Sequence, residues 1–247
     1  MSGVSPKVGL VTGAGSGIGR ATALELARGG AAVTVLDIDE SAAAETTELI
    51  RKDGGEALTA TVDIADERSV QAAVERTVTA YGRLDFAVNN AGTASHRRLD
   101  QMTLDEFERV VRGNLTGTFL CMKYELPALD RGGAIVNIAS GGGLHAIPHA
   151  PAYVAAKHGI IGLTKVAAVD YAPDGIRVNA VCPGPTRTPG FEKWAGDGDM
   201  IARQEAITPL GRLATPEEVA EAAVWLCSGA ASYITGIALS VDGGRRA

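Results

Sequence analysis

Seven short apolar runs, each followed by a stretch of helical periodicity or loop, constrain this chain more than any other feature. They are KVGLVT (7–12), AAVTVLDI (31–38), ALTATVDI (57–64), LDFAVNNA (84–91), AIVNIAS (134–140), IRVNAVCPG (176–184) and IALSVDGG (237–244). Short apolar runs of this kind fit strands buried on both faces of a sheet. Helical patterns fall near 17–29, 40–53, 66–81, 103–128, 151–172 and 216–228. Strand-then-helix alternation implies right-handed crossovers, hence parallel neighbours with helices on both faces. The expected fold is therefore a doubly wound α/β domain of Rossmann type with a seven-stranded parallel sheet.

Composition supports that reading. A hydrophobic fraction of 46% with 4% aromatic residues leaves Ala, Val, Leu and Ile to build the core. A length of 247 residues suits one domain, spanning 1–247, better than two. The net charge of -6 offers no basic face for nucleic-acid phosphates or anionic lipid. No apolar run approaches the roughly 20 residues of a membrane helix, and MSGVSPKVGLVTG lacks a signal-peptide pattern. Neither nucleic acid nor membrane is expected as a partner, and a cytoplasmic location is. Cys121, Cys182 and Cys227 are widely separated and read as buried thiols, while His96, His145, His149 and His158 show no metal-ligand spacing. No metal is expected.

Two helix starts carry capping boxes, Thr103 with Glu106 and Thr215 with Glu218. From Thr186 to Ile207 the alternation breaks: glycines and a proline interrupt a segment bearing Phe191 and Trp194, which reads as a mobile lid over a pocket. The six residues before the first strand read as a disordered tail.

TGAGSGIG (12–19) follows the first apolar run and opens a helix. Gly13, Gly17 and Gly19, with Ser16 and Ile18 between them, have the GxxxGxG spacing of a turn that lets backbone approach a pyrophosphate. The first amides of the following helix favour its negative charge. Asp37, 18 residues after Gly19, ends the next strand, where a carboxylate accepts hydrogen bonds from adenosine ribose hydroxyls and repels a 2′-phosphate. NAD is expected over NADP, since Ile38, Asp39 and Glu40 supply no cation after Asp37. A strand-end capping aspartate is the alternative.

Tyr153 and Lys157 stand four apart in YVAAK, on one helical face, and Ser140 ends the fifth apolar run. An ammonium beside a phenol favours its ionised form. A free tyrosine titrates about three units above neutrality, a gap of around 4 kcal/mol that Lys157 and a positive nicotinamide ring would narrow. Ser140 at the carboxyl edge of the sheet could hold a substrate oxygen while Tyr153 exchanges its proton. Alternatively, Ser140 only turns the chain into GGG, and Tyr153 only buries its ring.

These residues, with NNAG (89–92), Asn114 in GNLTG and PGPTRT (183–188), occur in an order and spacing that resembles the classical short-chain dehydrogenase/reductase family over essentially the whole chain. The resemblance implies a catalytic tetrad of Asn114, Ser140, Tyr153 and Lys157. Tyr153 would be the acid or base, Ser140 would bind the reacting oxygen, Lys157 would hold the nicotinamide ribose, and Asn114 would keep a water of a proton relay. It also implies cofactor contacts at Asp63 and Ile64 beside adenine, at Asn90, Ala91 and Gly92 along the adenosine, and at Pro183, Gly184, Thr186 and Thr188 by the nicotinamide. Asn89 and Asn90 could equally satisfy neighbouring backbone groups. Pro185 stiffens the loop and weakens the carry-over at Thr186. A homo-oligomer, commonly a tetramer, is implied.

The expected function is NAD-dependent interconversion of a secondary alcohol and a ketone. The alternatives are an NADPH-dependent ketoreductase, such as a 3-oxoacyl-carrier-protein reductase, and a catalytically silent dinucleotide-binding sensor or scaffold. Substrate-facing positions are expected in Thr93 to Leu99, Gly141 to Ala152 and the lid. His145 and His149 either bind substrate or are solvated, and Arg97 and Arg98 either bind an anionic tail or solvate a loop, the second being favoured for each pair.

Overall fold

The computed structural model describes residues 7–196 and 198–247; the expected disordered tail, 1–6, lies outside the described residues. The strands are β1 (Val8–Thr12), β2 (Ala32–Asp37), β3 (Glu56–Thr61), β4 (Phe86–Asn89), β5 (Ala134–Ile138), β6 (Arg177–Pro183) and β7 (Ala238–Val241). They form one sheet in the order β3-β2-β1-β4-β5-β6-β7, and every neighbouring pair is parallel. The helices are α1 (Gly17–Arg28), α2 (Glu40–Lys52), α3 (Glu67–Tyr81), α4 (Leu104–Val111), α5 (Gly117–Glu125), α6 (Pro151–Asp170), α7 (Pro189–Ala195), α8 (Gly198–Ala206) and α9 (Pro216–Cys227).

Alternate side chains of each central strand feed two cores. Val11, Val33, Val35 and Val136 pack with Ala23 and Leu26 of α1, Ile50 of α2, and Val219 and Leu226 of α9. Leu10, Leu36 and Ile135 point the other way, to Val70 and Val74 of α3, Leu120 of α5 and Ala167 of α6. All five residues of β1 and of β5 are buried, so these strands read as mostly apolar runs. Successive strands are added outward in one direction from β1 to β3 and in the other from β4 to β7, and this switch between β1 and β4 opens a crevice at their carboxyl ends.

The structure departs from five local expectations. Strand β3 stops at Thr61, so Asp63 and Ile64 lie beyond it, and β5 stops at Ile138, two residues before Ser140. The single helix expected over 103–128 is α4, a π-helical turn at Arg112–Thr116, α5 and a 3-10 turn at Leu126–Ala128. The Asn114 amide donates to Val110 O at 2.8 Å and competes with the helical backbone there. The interrupted stretch 186–207 contains two short helices, α7 and α8; Thr188 starts the first by accepting the Phe191 N–H at 3.1 Å. Thr215 and Glu218 form the full capping box, but Glu106 returns nothing to Thr103 because its carboxylate is paired with Arg97 at 2.9 Å.

The three cysteines are free and buried. Among the described residues, no helix is long and apolar enough to cross a membrane.

Candidate active site

The glycine turn is built from backbone. Gly13 and Gly17 hold φ of 63° and 53°, the left-handed region that side chains other than glycine rarely adopt. A Cβ on Gly19 would stand 2.1 Å from Gly13 O, so α1 can start this close to the turn only with glycine there. Ser16 precedes α1 without a side-chain cap, leaving the first amides of α1 without that partner. These features fit a dinucleotide pyrophosphate.

Asn90 fixes the turn from the neighbouring strand. Its Nδ2 donates to Thr12 O and Gly13 O, each at 3.1 Å, while Thr12 Oγ1 accepts the amides of Asn90 and Ala91 at 3.0 and 3.1 Å. Asn89 turns into the core, where its Nδ2 donates to Glu125 Oε2 at 2.9 Å and Asn137 Oδ1 at 3.0 Å. Asn90 thus satisfies neighbouring backbone groups, the alternative left open by its sequence, whereas the partners of Asn89 are side chains.

Asp37 Oδ2 accepts the Gly15 N–H at 2.8 Å and its Oδ1 the Asp39 N–H at 3.0 Å. Each oxygen keeps further acceptor capacity. Arg20, beside the turn, is already engaged by Gly15 O at 2.9 Å and Glu45 at 2.7 Å. Asp63 is exposed, with Oδ1 accepting the Ala65 N–H at 2.8 Å, and neither it nor Ile64 lines the central cavity. The Ile64 side chain is committed to the core, where a Cβ on Gly117 would meet it at 2.5 Å. Any contact of Ile64 with a cofactor must therefore run through its backbone.

A cavity of about 900 Å³ brings together Ile18, Asn90, Gly92, Asn114, Ser140, Tyr153, Lys157, Pro183, Gly184, Thr186 and Thr188. Ser140 Oγ accepts the Gly142 N–H at 3.0 Å, so it does turn the chain into GGG, and its own proton stays available for donation. Lys157 is 4% exposed and donates to Ile138 O at 2.9 Å, with Nζ 5.5 Å from the centroid of the Tyr153 ring. Burial draws its ammonium down to about 8. Burial pushes the Tyr153 phenol above its ordinary range, and the Ser140 hydroxyl draws it back. Within the protein alone burial sets the direction, contrary to the lowering expected from Lys157.

Asn114 is fully buried on the π turn. Both its amide protons are used, by Val110 O at 2.8 Å and Thr93 O at 2.7 Å, while Oδ1 has no protein partner. A Cβ on Gly92 would lie 2.5 Å from that oxygen and 3.7 Å from Lys157 Nζ, so glycine keeps open the space between them. Thr186 donates its hydroxyl to Gly184 O at 3.0 Å, and Thr188 packs its methyl against Gly17.

The other end of the cavity gathers the three segments expected to face substrate. His96 stacks on Trp194 with ring centroids 4.6 Å apart, and Phe191 lies 5.4 Å from Trp194. His145, Ile147 and His149 line the same cavity, and His149 O accepts the Arg97 N–H at 2.6 Å, next to His96. His149 is, among the described residues, the one non-glycine with a positive φ, at 61°. Arg97 and Arg98 do not line the cavity; they pair with Glu106 and Asp100, as favoured for a solvated loop. Arg245 and Arg246 do line it, and sequence reasoning missed them. Their only sequence signal is a cation pair following the last strand.

A family model described as enoyl-(acyl carrier protein) reductase matches residues 13–246. The 2,5-dichloro-2,5-cyclohexadiene-1,4-diol dehydrogenase of Sphingobium indicum is 45% identical over 99% of this chain and 98% of its own. The chain belongs to the classical short-chain dehydrogenase/reductase family. A second relative in this family, the cyclohexanol dehydrogenase of an Acinetobacter species, is 43% identical over 96% of this chain and 94% of its own. The crystal structure of levodione reductase superposes with a TM-score of 0.92 at 36% identity, covering 97% of each chain. As a short-chain dehydrogenase/reductase the protein is an oxidoreductase of alcohols and ketones, and its fold implies a nicotinamide dinucleotide cofactor.

Proposed function

We propose that this protein is an NAD-dependent oxidoreductase interconverting a cyclic secondary alcohol and its ketone, with Tyr153 as general acid and base. The observation that carries this reading is the convergence of Tyr153, Ser140, Lys157 and Asn114 on one cavity that also reaches the residues packed against the glycine turn. The cyclic substrates named for the two relatives support the ring. When bound, an oxidised nicotinamide accepts the hydride leaving the carbinol carbon.

Each side chain has a separable task. With one lone pair held by the Gly142 N–H, Ser140 donates a hydrogen bond to the substrate oxygen and keeps its proton. Tyr153 takes the hydroxyl proton during oxidation and returns it during reduction. Lys157 spends one N–H on Ile138 O and keeps two for the ribose hydroxyls and a water. Asn114 Oδ1, lacking a protein partner, accepts from that water and links Lys157 to a proton path. Burial raises the phenol in the protein alone, so Tyr153 would need further positive charge to act as a base, which an oxidised nicotinamide would supply.

Preference for NAD rests on the Asp37 carboxylate and on the pairing of Arg20 with Glu45. The same Arg20 favours the second reading, an NADPH-dependent ketoreductase such as a 3-oxoacyl-carrier-protein reductase, in which it would leave Glu45 for a 2′-phosphate. Absorbance at 340 nm, with NAD and NADP in parallel against cyclohexanol, decides between them: faster turnover with NAD supports the proposal and faster turnover with NADP overturns it. Phe191 and Trp194 act as a lid, a role supported by the stacking on His96. Exposed Phe119, Val166 and Val169 on α5 and α6 support a homo-oligomer, in keeping with a family tetramer. The free, buried thiols support a cytoplasmic setting.

A further inference from the structure

The charge of the cleft opposes that of the chain. The protein carries a net -6, yet the cavity is lined by Lys157, Lys193, Arg245 and Arg246, with Asp242 the one acidic residue among those lining it. Lys157 belongs to the proton-transfer group, whereas Arg245 and Arg246 have no task there. Arg245 is half-buried, and its Nη1 donates to Gln204 Oε1 of α8 at 2.7 Å. Neither arginine forms an ion pair among the described residues, although Arg20, Arg83, Arg97, Arg187 and Arg212 all do. Asp242 is partly occupied, accepting the Gly244 N–H at 3.1 Å. Burial and the neighbouring Arg246 both disfavour the charge on Arg245, and Asp242 offsets this only from beyond ion-pair distance.

Their position assigns them to the substrate end. His145 feels the charge of both arginines, and its ring lies 2.9 Å from where a Cβ on Gly141 would stand, one residue from Ser140. Gln204, which holds Arg245, belongs to the helix following the Trp194 segment. The pyrophosphate turn is at the other end, where Gly17 meets Thr188. The planar, forked guanidinium matches a carboxylate bidentately.

We propose that Arg245 and Arg246 form an anion subsite, and that the substrate is a cyclic alcohol or ketone bearing a carboxylate. This rests on the proposed function for its reacting group, but the subsite itself can be tested by binding. Calorimetric titration of the full chain, in the presence of NADH and at low salt, would compare cyclohexanecarboxylate with cyclohexanecarboxamide. The carboxylate is expected to bind at least tenfold more tightly, with the preference shrinking as salt rises. In Arg245→Gln/Arg246→Gln the ratio should fall to near one, and in Arg245→Lys/Arg246→Lys part of it should return. Arg246→Gln alone, at an exposed residue, covers the case in which the double variant fails to fold. Equal binding of the two probes by the wild type, or a preference that survives loss of both arginines, overturns the subsite. Turnover of cyclohexanol with no carboxylate preference would sink this inference and leave the proposed function standing. Carboxylate preference with no turnover of any cyclic alcohol would do the reverse.

Discussion

At the glycine turn, Asn90, Thr12 and Gly13 are tied by a web of cross-strand hydrogen bonds. Across the cleft, the wall is a seven-residue helix, a stacked His96–Trp194 pair and a C-terminal tail held by Arg245 on Gln204. The first region is main chain in fixed geometry, anchored to strands with every residue buried. The second is side chains on short elements, with Trp194 39% exposed. The difference fits the proposed division of labour, in which backbone in fixed geometry would hold the cofactor's pyrophosphate and side chains on the less embedded wall would face the substrate.

The largest effect should come from breaking the fixed half. Gly19→Ala places a Cβ 2.1 Å from Gly13 O, where only backbone could move away. Thermal unfolding should show destabilisation of about 3 kcal/mol, and NADH titration should show loss of binding beyond about a hundredfold. A variant that binds NADH normally would contradict the rigid account of the turn. Next, Asp37→Ala removes the acceptor for Gly15 and the proposed ribose partner. A fall of about 10–100-fold in kcat/KM for NAD is expected, in line with hydrogen bonds to a charged group, together with a gain for NADP.

Behind both halves, Glu125 is fully buried and its carboxyl is pushed up to about 8, chiefly by burial, against a reference of 4.5. The folded protein therefore holds a proton there that the unfolded chain releases between those two values. Its stabilising share is complete below pH 4.5 and is lost as pH rises through about 8. Glu125→Gln keeps an acceptor for Asn89 without the titration, so wild-type Tm should decline relative to the variant between pH 5 and 8 by the equivalent of a few kcal/mol at most. Parallel curves would refute the neutral carboxyl. The smallest effect should come from Arg97→Ala, which breaks an exposed pair with Glu106 outside the cavity. It should change stability by less than about 0.5 kcal/mol and kcat/KM by less than about twofold. A larger kinetic effect would extend the substrate wall beyond the cavity described.

How far the sequence could be read follows the same division. Strands β1 and β5 announced themselves because burial on both faces leaves a mostly apolar run, broken in β5 only by Asn137. Gly13 and Gly17 were candidates from their spacing along one turn, Tyr153 and Lys157 from theirs on one helix face, and Ser140 from its place at the end of an apolar run. The π turn at Asn114 was not legible, since it arises from a side chain competing with helical backbone for Val110 O. The commitment of Ile64 to Gly117 depends on α5 packing that no local pattern encodes. Arg245 and Arg246 escaped notice because their meaning comes from a tail folding back on α8, far from Ser140 in sequence. Arg97 and Arg98 drew attention instead, although the structure pairs them on the surface.

The account stands or falls on the phenol of Tyr153. Tyr153→Phe preserves the ring and removes the one atom proposed to carry the proton. Steady-state oxidation of cyclohexanol with NAD, measured beside NADH binding to the same preparation, is the most direct test. The expected result is a loss of kcat of roughly 10²–10⁴-fold with NADH affinity within about threefold of wild type. Turnover retained at more than about a tenth of the wild-type rate would contradict the assignment of Tyr153 as general acid and base.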